Sequence, residues 1–164
     1  MTTQEKKEKL KKLKKDLESR KDIPLIKSAN DVVFGEGNLD AVVMFIGEAA
    51  GYYESIQHRP FVGQAGKLLD KLMASINLKR QDVYITNIVK TRPPENRDPS
   101  PDEIEAFKPY LDGEIKIISP KIIVTLGRFS MGKFIPFEKI SGIHGVPRSI
   151  IWGEREVLVI PMYH

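Results

Sequence analysis

The chain has 164 residues, of which 41% are hydrophobic and 29% are charged, and it contains no cysteine. This length suits one domain with a sizeable core, and the composition is that of a soluble globular protein. The lack of cysteine excludes disulfides, thiolate metal sites and cysteine nucleophiles. No apolar stretch approaches the roughly 20 residues of a membrane span, and no apolar segment follows the charged N-terminus as in a secretory signal. We therefore expect a cytoplasmic protein that does not associate with membranes.

The net charge of +4 is unevenly distributed along the chain. Residues 1–30 contain ten Lys or Arg and five Asp or Glu, a net charge of +5. The remaining residues contain sixteen and seventeen, a net charge of −1. The basic pI of about 9.2 therefore reflects the N-terminal segment, and DNA binding has to be argued from local chemistry elsewhere.

Residues 4–20 are predicted to form a lysine-rich helix, because Leu10, Leu13 and Leu17 recur at helical spacing. Such a helix either docks its leucine stripe on the domain or contacts phosphate groups directly through its lysines. Residues 21–40 are predicted to form an irregular segment that leads to the first buried strand.

An apolar run at residues 41–46 predicts a strand that is buried on both faces, followed by a Gly-Glu-Ala-Ala-Gly loop at residues 47–51. The small residues of this loop would let a ligand approach the backbone closely, and Glu48 is its only charge. The alternative is an ordinary turn after a strand.

The rest of the chain alternates between short apolar strands and amphipathic helices. Strands are predicted at residues 83–89, 121–126 and 156–161, with room for another at 148–152. Helices are predicted at residues 64–76, 101–118 and 127–135, the second kinked or divided at Pro109. The first of these helices should bury one face made of Leu68, Leu69, Leu72, Met73 and Ile76. The alternation predicts an α/β fold, a three-layer α/β/α sandwich with a mostly parallel central sheet of about four strands.

Three polar residues, Glu48, Asn87 and His164, fall at or just after predicted strand ends. Ligands bind at the carboxyl edge of parallel sheets, so we predict a site there. The Asn87 amide suits the edge of a nucleobase, because it offers a donor and an acceptor side by side; alternatively it bonds to neighbouring backbone. Phe61 is either a core residue or a stacking platform for a planar base.

Six segments, in this order along the chain, together resemble the family 4 uracil-DNA glycosylases. Each segment alone is a weak signal, and their order makes the resemblance specific. The segments are residues 33–38 (VFGEGN), 47–51 (GEAAG), 59–66 (RPFVGQAG), 83–97 (VYITNIVKTRPPENR), 120–127 (PKIIVTLG) and 159–164 (VIPMYH).

The resemblance implies a DNA repair enzyme that flips uracil out of DNA and hydrolyses its N-glycosidic bond, leaving an abasic site. On matching positions, Phe61 would stack on the base, Asn87 would read its Watson–Crick edge and His164 would hydrogen-bond uracil O2. Because uracil leaves as an anion, a donor fixed at O2 would stabilise the charge that develops in the transition state. The expected substrate is uracil-containing DNA, single- or double-stranded, and the expected protein is a monomer.

The resemblance also implies roles for residues around the first strand end. Glu48, together with Gly47 and the backbone of Ala49, would line the pocket, and Glu54 matches a further acid implicated in activity. The expected catalytic residues are thus Glu48, Glu54, Asn87 and His164. Related glycosylases with a water-activating Asp have it at the position of Ala49, so catalysis here would depend on leaving-group stabilisation and on water positioned by Asn87 or Glu54.

The family usually holds a four-iron, four-sulfur cluster on four cysteines, and here this sequence departs from it. The matching positions are Arg20, Ile23, Thr91 and Phe107. None of these side chains is a thiolate ligand. We therefore predict a protein without the cluster and without a metal, whose N-terminal segment is held by packing.

Two further departures concern the pocket loop and the end of the domain. Ala50 stands where the family commonly has proline, which loosens the loop. The family continues past the position of His164 with a loop that enters the duplex and a final helix. We expect residues 1–164 to form one glycosylase-like domain, with residues 1–30 as its basic helix and wrap, and without that last part. A polypeptide ending at His164 would have weak activity, chiefly on single-stranded DNA.

The sequence is also compatible with three alternatives. The first is a divergent member that binds DNA or an altered base with weak or no uracil excision. The second is a small-molecule nucleotide-binding α/β domain that does not bind DNA. The third is a member that bonds covalently to uracil-DNA through a histidine inserted before the RPF segment, for which only His58 is available.

Overall fold

The computed structural model describes all residues from Met1 to His164 as six α-helices, six strands and three short 3-10 helices. The helices are α1 Thr3–Ser19, α2 Tyr52–Gln57, α3 Gln64–Ser75, α4 Pro101–Ile118, α5 Arg128–Phe134 and α6 Ile140–Ile143. The strands are β1 Glu36–Gly37, β2 Val43–Ala49, β3 Tyr84–Val89, β4 Ile122–Leu126, β5 Arg148–Trp152 and β6 Arg155–Met162. The 3-10 helices are Ala29–Asp31, Arg80–Asp82 and Pro94–Asn96.

The strands form one sheet in the order β1-β3-β2-β4-β6-β5. The four central strands run parallel, and β1 and β5 add antiparallel edges. The predicted mostly parallel sheet is confirmed, but its size of about four strands was wrong. β1 has only two residues, which is too short to show an alternation of apolar and polar side chains in the sequence. β5 is a half-exposed edge strand inside a turn-rich segment, at residues 148–152, where the sequence leaves room for a strand.

Helices cover both faces of the sheet, as the predicted three-layer sandwich requires. One face carries α4 and α5 and forms the larger apolar cluster. The other face carries α3 and a smaller cluster of Phe45, Leu69, Met73, Val83 and Ile85. None of the helices combines the length and the hydropathy that crossing a lipid bilayer requires.

The face that α3 buries is narrower than predicted. Leu69 and Met73 are buried against the sheet, whereas Leu68, Leu72 and Ile76 are each more than half exposed. The two sets lie on adjacent rows of the helix, about 100° apart, and a single helix on a sheet buries only the row that faces it.

The leucine stripe of α1 docks on the domain, which confirms one of the two readings of this helix. Leu10 and Leu17 are buried, and α1 packs against α4. The Tyr110 hydroxyl of α4 donates to Asp16 at 2.6 Å and accepts from Arg20 at 3.0 Å. Packing and these hydrogen bonds therefore hold the N-terminal segment.

Pro109 does not divide α4, which continues through it as one helix of 18 residues. The Ser100 side chain accepts from the Glu103 backbone and caps the start of the helix. Phe107 and Leu111, on either side of the proline, are buried. Their packing compensates for the backbone hydrogen bond that proline cannot make.

Candidate active site

The parallel register of β2 and β3 places Gly47 directly beside Asn87. The strand β6 ends at Met162, two residues before His164. The carboxyl ends of these strands therefore meet at one edge, as predicted. The predicted loop over residues 47–51 is shorter than expected, because β2 continues through Ala49 and the unpredicted helix α2 starts at Tyr52.

A cavity of about 110 Å³ opens at this edge. Its lining includes five of the residues singled out in the sequence. The nine lining residues are Ala49, Glu54, Phe61, Gly63, Gln64, Ala65, Gly66, Asn87 and His164. The four between Gly63 and Gly66 belong to the RPFVGQAG segment but were not assigned a role from the sequence. A larger groove of about 760 Å³ between α4, α5 and Trp152 includes none of the predicted site residues.

The Asn87 side chain is 3% exposed, and its amide oxygen Oδ1 has no hydrogen-bond partner. A buried amide oxygen without a partner is costly, so native structures rarely retain one without a reason. Gly47 lies beneath this amide. A Cβ atom at Gly47 would overlap both Oδ1 of Asn87 and the ring of Phe61. The glycine thus allows the ring and the amide to approach each other at the strand end.

The side chain of Glu48 points to the opposite face of β2 from those of the residues on either side, and its carboxylate does not line the cavity. Its Oε2 atom accepts from the backbone N–H of Phe129, at the start of α5, at 3.2 Å. Burial raises the pKa of Glu48, and the Phe129 N–H and the charge of His164 oppose that rise. The sequence places the Glu48 side chain in the pocket lining, whereas in the structure it points away from the pocket. The reason is that successive side chains of a strand point to opposite faces of the sheet.

The carboxylate of Glu54 is occupied by three backbone groups of the pocket wall. Oε1 accepts from Gly51 N–H at 3.0 Å, and Oε2 accepts from Val62 N–H at 3.0 Å and Gly63 N–H at 2.6 Å. Glu54 therefore ties the start of α2 to the segment that follows Phe61.

Phe61 has a left-handed backbone conformation with φ of 51°. This conformation is strained for a bulky residue and needs support from its surroundings. Arg80 supplies it, since its guanidinium donates to the Phe61 carbonyl oxygen at 2.7 Å and to the Pro60 carbonyl oxygen. Sequence reasoning missed Arg80 because it lies 19 residues after Phe61 and carries no motif.

A buried ion pair lies behind Asn87. The ammonium group of Lys90 pairs with Glu114 of α4, and both side chains are fully buried. Burial lowers the pKa of Lys90, and the Glu114 carboxylate opposes this. Thr86 donates to Glu114 at 2.9 Å and Tyr84 donates at 2.5 Å. The sequence carries little signal for this pair, because Lys90 follows an apolar strand but Glu114 is one of several charged residues in α4.

The four positions that match cluster cysteines do not fit an iron–sulfur cluster. Ile23, Thr91 and Phe107 are buried, and Ile23 and Phe107 belong to the main apolar cluster. Arg20 bonds instead to Asp22 at 2.7 Å. No group of three or more His, Cys, Asp or Glu side chains converges anywhere in the chain. Apolar packing fills this part of the fold, and none of the four side chains offers a thiolate.

Residues 34–164 match the family model of the Uracil DNA glycosylase superfamily. The chain is 48% identical to the type-4 uracil-DNA glycosylase of Sulfurisphaera tokodaii, over 94% of this chain and 73% of that protein. It is 46% identical to the enzyme of the same name from Archaeoglobus fulgidus, over 85% of this chain and 73% of that protein. The corresponding protein of Thermotoga maritima is 43% identical, over 86% and 73%. The chain therefore belongs to the uracil DNA glycosylase superfamily. These three relatives share the name type-4 uracil-DNA glycosylase, which confirms the resemblance seen in the sequence.

Proposed function

We propose that this protein is a uracil-DNA glycosylase that flips uracil, the product of cytosine deamination, out of DNA and hydrolyses its N-glycosidic bond. The observation that carries the proposal is the buried, unpartnered amide oxygen of Asn87 beside Phe61, in a small cavity at the sheet edge. The superfamily membership and the names of the relatives support the same activity.

In this proposal Asn87 selects uracil by the hydrogen bonds it makes. Uracil presents N3–H as a donor and O4 as an acceptor, which match the Oδ1 and Nδ2 atoms of one amide. The unpartnered Oδ1 would accept from N3–H and so gain the hydrogen bond it lacks. Phe61 would stack on the base, and Gly47 would leave room for the ring and the amide together. Ala49 would line the pocket through its backbone.

Catalysis in this proposal acts on the leaving group. The bond between C1′ of the sugar and N1 of uracil breaks, and its electron pair stays on the base. His164 donates to O2 and stabilises the anion as it forms. Water then adds to C1′, and the proton that it loses ends on the uracil anion, so the products are neutral uracil and an abasic site. Ala49 supplies no general base, so the positioned donor has to carry most of the rate enhancement.

Glu54 and Glu48 have different roles in this proposal. Glu54 positions the wall of the pocket through its three backbone hydrogen bonds. The carboxylate of Glu48 lies outside the cavity lining and would act only through its negative charge, which interacts favourably with His164. The catalytic residues proposed from the sequence thus divide into Asn87 and His164 at the base and Glu48 and Glu54 around it.

Uracil release from a single-stranded oligonucleotide that contains one uracil tests the proposal. The wild-type protein should release uracil, and Asn87→Ala should release it about 100-fold or more slowly. Asn30→Ala, at an exposed position, is the matched control and should retain the wild-type rate. Excision that Asn87→Ala leaves unchanged contradicts the site. DNA binding without any release favours the divergent, non-excising alternative, which the four non-cysteine residues at the cluster positions and Ala50 make the second candidate.

We further propose that the protein carries no iron–sulfur cluster, on the chemistry of Arg20, Ile23, Thr91 and Phe107. Protein purified after expression with added iron should lack acid-labile sulfide and the broad absorption at about 400 nm of such clusters. Sulfide together with that absorption would contradict this proposal. A monomeric state, a single domain over residues 1–164 and a cytoplasmic location also remain proposals; the contacts of α1 with α4 support the single domain.

A further inference from the structure

Two tyrosines at the start of α2 form an exposed aromatic pair. Tyr52 is 50% exposed and Tyr53 is 58% exposed, and their ring centroids lie 5.3 Å apart in an edge-to-face arrangement. Ile56, one turn later in α2, is also more than half exposed. The helix therefore presents an apolar, aromatic surface to solvent.

Arg92 adds a positive charge to this surface. Its guanidinium carbon lies 5.3 Å from the centroid of the Tyr52 ring. Its one side-chain hydrogen bond goes from Nε to the amide oxygen of Asn96, at 2.7 Å. Other arginines of the chain pair with carboxylates, as Arg97 does with Glu103 and Arg128 with Asp98. Arg92 has no such partner, so its charge is available to an anion.

The aromatic surface continues into the wall of the cavity. Tyr53 lies against Gly63, where an added Cβ atom would be 3.6 Å from its ring, and Gly63 lines the cavity. The backbone N–H of Ala50 donates to the carbonyl of Thr91 at 3.3 Å. This bond ties the start of α2 to the segment that carries Arg92. The surface thus begins at the rim of the pocket.

We propose that Tyr52, Tyr53 and Arg92 bind the unpaired nucleotides that flank the flipped base in a single-stranded DNA segment. The tyrosine rings stack on exposed bases, and the guanidinium contacts a backbone phosphate. The occupant is single-stranded because paired bases in a duplex have their faces covered by their neighbours and show only edges and phosphates. The inference rests on the function proposed for the pocket and names the form of DNA that the site prefers.

The test measures the affinity for a uracil-free single-stranded oligonucleotide and for the same sequence as a duplex, by fluorescence anisotropy at one salt concentration. The double substitution Tyr52→Leu/Tyr53→Leu keeps apolar bulk and removes the rings. It should weaken single-strand binding about tenfold or more and leave duplex binding within about twofold. Tyr52→Phe/Tyr53→Phe should retain the wild-type affinity. Phe137→Leu, which alters an aromatic residue that is 97% exposed after α5, is the matched control and should change neither affinity.

The role of Arg92 has its own readout. Arg92→Gln should make the plot of log affinity for the single strand against log salt concentration less steep by about 1. The reason is that one fewer phosphate contact releases about one fewer counterion. A slope equal to that of the wild-type protein overturns the phosphate contact.

Several outcomes overturn the stacking surface. The first two are wild-type protein that does not bind the single strand and a double leucine variant that binds it with wild-type affinity. The others are a double leucine variant that loses equal affinity for single strand and duplex, and a double phenylalanine variant that binds the single strand as weakly as the leucine variant does. Uracil release, measured in parallel, keeps the two proposals apart. Protein that binds single strands through these rings but never releases uracil contradicts the proposed function alone. Protein that releases uracil with binding unchanged by the leucine variants contradicts the surface alone.

Discussion

The ammonium group of Lys90 donates a hydrogen bond to the backbone carbonyl oxygen of Asn87 at 2.8 Å. It also donates to the Thr86 hydroxyl at 2.7 Å and pairs with Glu114. A charged network inside the fold therefore holds the strand end from which the Asn87 amide points into the cavity. Breaking it should affect both folding and the pocket.

Lys90→Met should lower the free energy of unfolding by about 3–5 kcal/mol, because it leaves the Glu114 carboxylate buried without a counter-charge. Urea unfolding monitored by circular dichroism measures the change. The double variant Lys90→Met/Glu114→Gln removes both charges and should recover most of that loss. Equal losses in the single and double variants would show that the buried charge is not the cause.

Arg80→Met should impair the pocket more than the fold. Without the guanidinium, nothing holds the Pro60 and Phe61 carbonyls, and the left-handed Phe61 relaxes by about 1 kcal/mol or more. We expect kcat/KM for uracil release to fall about tenfold, mainly through KM, with a small change in Tm. Arg80→Lys should not rescue it, since one ammonium cannot replace the planar fork. Lys79→Met, at the exposed neighbour, is the control; an equal effect there argues against the positioning role.

Gly47→Ala should abolish the approach of Phe61 to Asn87, because the new methyl group overlaps both side chains. We expect uracil release to fall about 100-fold or more, the scale of losing a positioned donor. Gly132→Ala in α5 is the matched control, since an added Cβ meets no atom within 4 Å there. That variant should be as active as the wild type and, by helix propensity, more stable by about 0.5–1 kcal/mol. Full activity in Gly47→Ala would contradict the crowded pocket.

The stability of the protein should fall in acid because of Glu103. Arg97 and the Ser100 backbone lower the pKa of Glu103 from 4.5 to about 2. A carboxyl with a lowered folded pKa adds stability above its ordinary pKa and loses it as the pH falls towards the folded value. Urea unfolding between pH 5 and about pH 2 should show this loss. Arg97→Met should lower stability above pH 5 and flatten its dependence on pH, and an unchanged slope would exclude this pair as a cause.

Glu48 should have the opposite effect on the pH dependence of stability, lowering the stability of the protein as the pH rises. Burial raises the pKa of Glu48 in the folded state, so ionising it costs stability as the pH rises through its ordinary value of 4.5 and then its folded value. Glu48→Gln should therefore gain stability relative to the wild type as the pH rises from 4 to 7. Urea unfolding at several pH values measures the difference. Glu95→Gln, at an exposed position, should show no such trend, and a constant difference for Glu48→Gln would contradict the effect of burial.

Local pattern was enough to predict the four parallel strands and the helices α1, α3, α4 and α5, because each is long enough to show its own hydrophobic period. The elements that escaped prediction are short. β1 has two residues and α2 has six, so neither repeats a period. The wrong assignment of Gly47 to Ala49 to a loop has the same origin, since small residues carry little strand signal.

The sequence by itself determined the family, the order of the site residues Phe61, Asn87 and His164, and the lack of cysteine ligands. Only the tertiary structure decided how those residues are supported. Arg80 reaches Phe61 across 19 residues, and Glu114 meets Tyr84 across 30. Such contacts leave no local pattern, because they depend on how the strands align and not on the spacing of neighbours. The same alignment turned Glu48 towards α5 and left the amide oxygen of Asn87 without a partner beside Phe61.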